Sequence, residues 1–301
     1  MDGRMKGYAC ILLAAFFWGA IGPLGRTAFV EGVSPMEVAF WRAALAWGFF
    51  AVHAGIKKEM RVHRSDIPMI LLFGTACVTC FYGAYQQAVA GGGAALASVL
   101  LYTAPAWVGV LARIFLKEAM TPVKLIALAM TILGVTGVSG GSPAGFSPAG
   151  MRTIGFGLLS GFCYALYYIF GKIFAERYSS PNLFLYALPV GAITLFPLVD
   201  FVPKTPTAWL ALFLMALFST YLAYYCYYIA LKYLESTRAA IAAALEPVIA
   251  SILGVVWWKE DLSFIAVCGG LLILSAVILV IRDSAPPADM QADGLSSAPP
   301  A

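Results

Sequence analysis

The chain has 301 residues, of which 61% are hydrophobic and 11% charged, against roughly 25% charged in an average soluble domain. Nineteen basic and fifteen acidic side chains cannot dress the surface of a water-soluble body of this size. That excludes an ordinary soluble enzyme and a disordered chain; the scattered basic residues, at a net charge of +4, exclude a nucleic-acid binder.

The apolar stretches run unbroken for about 20 residues, the length a helix needs to cross ~30 Å of hydrocarbon. They lack the alternation of a barrel strand. The fold class is therefore an all-α polytopic membrane protein, with mean hydropathy +0.86. Ten spans are predicted, at 7–29, 35–55, 67–89, 94–116, 122–140, 153–175, 181–201, 208–232, 237–258 and 262–282. The first is too long for a signal-peptide core and is read as an uncleaved span. Its Pro23, among Gly19, Gly22 and Gly25, predicts a bent, closely packed segment.

Short joints make neighbouring spans antiparallel. The longest polar joint of the first half is 53–66, where His53 and His63 read as solvated polar residues. A Gly/Ser/Pro-rich linker is expected at 141–151 and a disordered tail at 283–301. The six cysteines, including the Cys77–Cys80 CxxC, fall in apolar runs and read as small buried residues. With the N-terminus inside, fourteen Lys and Arg fall on the inner side. Four fall outside: Arg26, Arg152, Lys204 and Lys259. That bias places both termini in the cytoplasm and the chain in the cytoplasmic (inner) membrane.

The second half repeats the first. With Pro35 on Pro181, the residues Leu12, Leu13, Phe16, Gly25 and Ser34 meet identical partners at an offset of 146. Beyond the 53–66 joint the offset becomes 142: Tyr82 meets Tyr224, Tyr85 meets Tyr227, Pro105 meets Pro247, and Lys117-Glu118 meets Lys259-Glu260. Repeats over 7–140 and 152–282 hold five spans each, and an odd number sets the two copies upside-down to one another. Inverted repeats are the architecture of many secondary transporters.

The stretches LLYTAPAWVGVLARIFLKEAMT and IAAALEPVIASILGVVWWKEDLS, with FWRAALA in the second span, resemble the two copies of the EamA domain. The EamA-type branch belongs to the drug/metabolite transporter superfamily. The resemblance covers about residues 7–282. It implies ten helices, a central cavity built by both repeats, and export or exchange of amino acids or other small metabolites. Gly91-Gly92-Gly93 before the fourth span and the tyrosine density of the eighth depart from the family pattern and leave the substrate open.

Two charges lie deep in spans. Glu246 is near mid-span and Arg42 is about 10 Å from its outer end at 1.5 Å per residue. At such depth a charge costs about 2.5–3.5 kcal/mol, so each must face the interior, be paired or be neutralised. Their repeat counterparts are Ala104 and Leu188, so the fold does not demand a charge there. Glu246 reads evenly as a protonatable coupling or substrate carboxyl and as a structural group. Arg42 reads as an anion contact or as the partner of Glu246 or of helix-end carbonyls. Pro105 and Pro247 each free the carbonyl four residues earlier and predict cavity-lining kinks.

Tyr221, Tyr224, Tyr225 and Tyr228 share a helical face, as do Tyr82, Tyr85 and Gln86; Tyr164, Tyr167 and Tyr168 cluster in the sixth span. The expected cavity residues are Trp18, Arg42, Tyr82, Tyr85, Gln86, Tyr102, Tyr164, Tyr168, Tyr224, Tyr227 and Glu246, with helix kinks at Pro23, Pro105 and Pro247. Lys117-Glu118 and Lys259-Glu260 read as structural anchors or gate elements.

The function expected is a secondary transporter exporting a small organic metabolite by alternating access, driven by a proton gradient or by exchange. No nucleotide-binding P-loop is present. A multidrug-type exporter of aromatic or cationic compounds is the alternative; a membrane-embedded enzyme or passive channel is the other class weighed. No catalytic residue, metal or cofactor is expected. The partners are the small-molecule substrate and the lipid bilayer, with no nucleic acid and a homodimer left open.

Overall fold

A computed structural model describes residues 3–139, 151–259, 261 and 263–283. The predicted linker (Met151 apart), Glu260 and the tail after Asp283 lie outside the described residues. Among the described residues every regular element is helical: α1 (Gly3–Gly19), α2 (Ile21–Val30), α3 (Pro35–Lys57), α4 (Ile67–Gly74), α5 (Phe81–Leu101), α6 (Ala104–Phe115), α7 (Pro122–Ser139), α8 (Met151–Ala175), α9 (Ser180–Leu195), α10 (Pro206–Leu214), α11 (Ala223–Tyr233), α12 (Ser236–Ala243), α13 (Glu246–Trp258) and α14 (Phe264–Arg282). Eight of the helical stretches among these residues are long and apolar enough to cross a membrane. The other two predicted spans differ for separate reasons. Helix α3 is 23 residues long, with Arg42 inside it and Glu37 and Lys57 in its end turns, and it is less apolar than those eight; Pro122–Val138 is a shorter apolar helix.

The repeat is visible in the local chemistry. Ser34 and Ser179 cap α3 and α9, accepting from the backbone N–H of Glu37 (3.1 Å) and Asn182 (3.3 Å), with Pro35 and Pro181 in the first turns. At the other ends of the repeats, Lys117 and Lys259 take the left-handed conformation (φ 57 in both) that ends a helix. Two π-helical stretches also correspond, Thr75–Cys80 joining α4 to α5 and Met215–Leu222 joining α10 to α11. Nothing in the sequence announces them.

At the repeat-matched prolines the helices break instead of bending smoothly. Tyr102 and Thr103 separate α5 from α6, and Ala244 and Leu245 separate α12 from α13. Each break is bridged by a tighter three-residue bond, Thr103 N–H to Leu100 (3.2 Å) and Leu245 N–H to Ala242 (3.3 Å). Pro23 acts the same way: α1 and α2 are interrupted at Ala20, three residues before it. A proline removes a donor and crowds the preceding turn, so the interruption falls ahead of the ring.

Helix α5 runs out along α8 and returns. Phe81 stacks on Tyr164 at 5.5 Å, Gly91 abuts Thr153, and Leu100 abuts Gly157. The chain therefore reverses between Gly91 and Leu100.

Matched helices of the two repeats pack against each other antiparallel. In the α3–α9 pair Phe50 meets Phe184 (5.0 Å) and Phe40 meets Phe196 (6.0 Å). In the α7–α14 pair a Cβ on Gly134 would stand 2.7 Å from the Gly269 carbonyl, and one on Gly137 3.2 Å from the Ile265 carbonyl. The other main pairings, α1 with α11 and α8 with α5, exchange with one another when the repeats are swapped.

The α7–α14 seam tolerates no added atom: a Cβ on Gly269 would lie 2.5 Å from the Gly134 carbonyl and 2.7 Å from the Val138 nitrogen. Gly269→Ala is expected to cost about 1–3 kcal/mol, the range for overpacking, and to lower the unfolding temperature in detergent. Gly48→Ala meets no neighbour within 4 Å and should leave it unchanged.

The end bearing both termini is bolted by charge. Glu118 accepts from the backbone N–H of Ser236 (2.6 Å) and Thr237 (3.1 Å) and from the Thr237 hydroxyl (2.8 Å). Lys124 pairs with Glu235 (2.9 Å), and Arg238 with Glu235 (2.6 Å) and Asp283 (2.8 Å). Asp283, predicted as the head of the tail, is thus tied into the fold, and Arg4 donates to its carbonyl. At the opposite end Glu37 is fully buried beneath Lys204 and the Trp41 indole.

Candidate substrate cavity

The broken helices leave a cavity of about 400 Å³ between the two repeats. Trp18 enters it from the last turn of α1, with Ile21 and Gly22 from the start of α2. Tyr82 and Tyr85 come from the outgoing limb of α5, and Ser98 and Leu101 from the returning limb. Tyr102 stands in the break itself. Tyr164 comes from α8, Tyr224 from α11, and Glu246, Pro247, Ala250 and Ser251 from α13. The helices that bend around the cavity are those whose prolines were legible, so backbone irregularity lies beside a space and not against lipid.

Arg42 reaches the cavity from α3 and is 7% exposed. Its Nε donates to the Thr220 hydroxyl (3.3 Å), which donates to the Met215 carbonyl (3.3 Å) five residues back. That spacing belongs to the π stretch, so the local irregularity supplies the hydroxyl that orients the arginine. The guanidinium lies over the Tyr82 ring at 5.4 Å, a cation–π contact that is strongest where water is scarce. Arg42 forms no ion pair with Glu246 among the described residues. Of the alternatives open for it, its contacts within the fold are a hydroxyl and a ring.

Glu246 opens α13 immediately after the break, where the helix dipole favours a carboxylate. The Tyr102 and Tyr164 hydroxyls stand beside it. Tyr85 and Ser98 oppose each other across α5 (3.4 Å between oxygens).

Below this space lies an aromatic floor on the side of the termini. The Tyr167 and Tyr224 hydroxyls are 3.1 Å apart, and Tyr227 donates to the Tyr167 carbonyl. Tyr168 packs edge-on to Tyr227 at 5.4 Å, and Tyr228 donates to the Tyr178 carbonyl (3.1 Å). The cavity therefore ends at the tyrosines toward the termini and extends toward the opposite end.

Eight of the predicted cavity residues gather here: Trp18, Arg42, Tyr82, Tyr85, Tyr102, Tyr164, Tyr224 and Glu246. Tyr227 belongs to the floor. Tyr168 and Pro105 border a small adjoining pocket. Gln86 is half-buried elsewhere on α5, and Pro23 is packed within α2. Of the predicted tyrosine stripe in the eighth span, only Tyr224 lines the cavity. Tyr221 instead bonds His53 Nδ1 (2.8 Å), and Tyr225 packs on the same ring (5.4 Å); His53 is half-buried and hydrogen-bonded. Sequence reasoning missed Phe81, Ser98, Ser251 and Thr220. Ser98 stands one turn before Tyr102 and was findable by that spacing; Thr220 was not.

The EamA-like transporter family model matches residues 5–140 and again 151–282. The chain belongs to that family. It is a multi-pass membrane protein of the drug/metabolite transporter superfamily, whose members are transporters. It is 29% identical over 288 residues to an uncharacterized transporter of Archaeoglobus fulgidus, covering 92% of this chain and 99% of that one. A probable terminal-alkyne amino-acid exporter of Streptantibioticus cattleyicolor is 24% identical, over 92% of this chain and 94% of that protein. A solved crystal structure shares the fold with a TM-score of 0.79 at 16% identity, covering 94% of this chain and 99% of the other.

Proposed function

We propose that this EamA-family protein is a secondary transporter that exports a small zwitterionic metabolite, of the amino-acid class, by alternating access. The observation that carries the reading is one aromatic cavity with a guanidinium on α3 and a carboxyl on α13 and no ion pair between them among the described residues. A solute with a carboxylate and an ammonium completes both groups, and the rings cover its apolar part. The cavity volume suits a molecule of that size. The name of the Streptantibioticus relative, an amino-acid exporter, supports the same class.

In this reading ten spans form two five-helix repeats of opposite orientation in the cytoplasmic membrane, with both termini in the cytoplasm. The antiparallel α3–α9 and α7–α14 pairs support the inversion, and the exchange of α1–α11 with α8–α5 supports near-equivalent inward- and outward-facing states. The present state is outward-facing, shut on the cytoplasmic side by the tyrosine floor and the charge cluster beneath it. Transport draws on a proton gradient or on exchange.

Flux of radiolabelled amino acids into proteoliposomes, at two pH values and beside a hydrophobic cation, tests this. Arg42→Ala is expected to reduce uptake of carboxylate-bearing solutes at least tenfold and to affect an amine lacking the carboxylate far less. Equal losses for both would refute the role given to Arg42. Flux of the hydrophobic cation alone would favour a multidrug exporter instead.

A further inference from the structure

The polar cleft between the end of α3 and the start of α9, about 380 Å³ in volume, lies outside the path just described. The two repeats fall out of register by four residues at this joint, so the longer connection is a property of one half and not a demand of the fold. The connection is held in place: Asn182 Nδ2 donates to the Arg61 carbonyl (2.8 Å), Tyr178 donates to Asp66 (2.6 Å), and Tyr186 donates to the Met60 carbonyl.

Three cations border the cleft, Lys58, Arg61 and Arg177. Arg177 is paired with Asp66 at 3.1 Å; Lys58 and Arg61 have no ionic partner among the described residues. The 16-residue α9 begins there with Ser179 as its cap. These features suit a phosphate. Two buried acceptors beside them are unsatisfied: Glu59 Oε2 and Asn182 Oδ1 have no hydrogen-bond partner, and Asn182 is only 6% exposed. A buried carboxylate oxygen without a partner costs free energy that an N–H donor removes. Next to the cleft the surface turns apolar and open, with Ile56, Met60 and Ile67 exposed. Unpartnered acceptors, a cationic phosphate site and adjoining apolar surface match the three parts of a membrane lipid that carries ammonium, then phosphate, then acyl chains.

We propose that this cleft binds the headgroup of a phospholipid whose phosphate carries a primary ammonium, the phosphatidylethanolamine class, from the leaflet at the terminal end. Lys58 and Arg61 hold the phosphate, and Glu59 with Asn182 takes the ammonium protons. A choline headgroup offers those acceptors no N–H. The proposal rests on the membrane reading and not on which solute is carried, so a variant that loses the lipid and still transports separates the two.

Native mass spectrometry of the detergent-purified chain, titrated with phosphatidylethanolamine, phosphatidylcholine and soluble phosphoethanolamine, tests it. Phosphatidylethanolamine is expected to bind at least tenfold tighter than phosphatidylcholine. Lys58→Ala with Arg61→Ala should lower its affinity at least tenfold at unchanged unfolding temperature, and Arg61→Lys alone should largely keep it. Glu59→Gln should erase the preference for ethanolamine over choline. Equal binding of the two lipids, or no effect of these variants, overturns the proposal. Phosphoethanolamine binding as tightly as the lipid would make this a soluble phosphoester site and overturn the lipid assignment.

Discussion

Glu246→Gln is expected to cut transport at least tenfold and to remove its dependence on the proton gradient, while the protein still reaches the membrane and unfolds at the same temperature. The amide keeps the size of the carboxyl and can accept from Tyr102 and Tyr164, the hydroxyls that stand beside it. What it loses is the negative charge and the capacity to exchange a proton. A deep carboxyl is affordable only where it is protonated or matched by a solute's cation, so substitution leaves packing intact and function impaired. The measurement is initial-rate flux in proteoliposomes with and without an imposed pH gradient. Wild-type rate with unchanged pH response would reduce Glu246 to a structural residue.

Glu118→Ala is expected to unlatch the terminal end. The carboxylate satisfies two backbone donors and a hydroxyl at the start of α12, and its removal leaves them buried without an acceptor. Losing a buried partner costs about 1–3 kcal/mol, and a bias of that size shifts a two-state equilibrium roughly 5- to 150-fold. A cysteine at Ala240, fully packed on α12 in the present state, should then react with a thiol reagent many times faster than in the parent chain. Glu118→Gln, which keeps one acceptor, should fall between them. Unchanged reactivity with only a lower unfolding temperature would make Glu118 an anchor and not a latch.

Much of this arrangement could be read from residue order. The repeat offset, the matched prolines and the two deep charges are local properties, since a charge in an apolar run or a proline in a helix must be accommodated whatever surrounds it. They located the broken helices, and eight of the predicted cavity residues lie together. The readings that shifted depend on tertiary partners. The face shared by Tyr221, Tyr224, Tyr225 and Tyr228 assumes a regular helix and neighbours on one side only. Met215–Leu222 is π-helical, and His53 and Tyr178 draw Tyr221 and Tyr228 away from the cavity. Lys124 is almost fully buried because Glu235 and the Ala119 carbonyl meet it there, a pairing between halves that no local pattern shows. The contact of Arg42 with Thr220 could not be read from residue order for the same reason, because that hydroxyl becomes available only through the π turn.

The measurement that bears most directly on the whole account is the accessibility of a cavity cysteine from each side of a sealed membrane. In a chain cleared of its six native cysteines, Ser251→Cys should react with a membrane-impermeant maleimide applied to the face opposite the termini. It should be protected from the terminal face, and adding Glu118→Ala should reverse the preference. Reaction from neither face in either background, or from both at once, would contradict a solute site opened alternately by two inverted repeats.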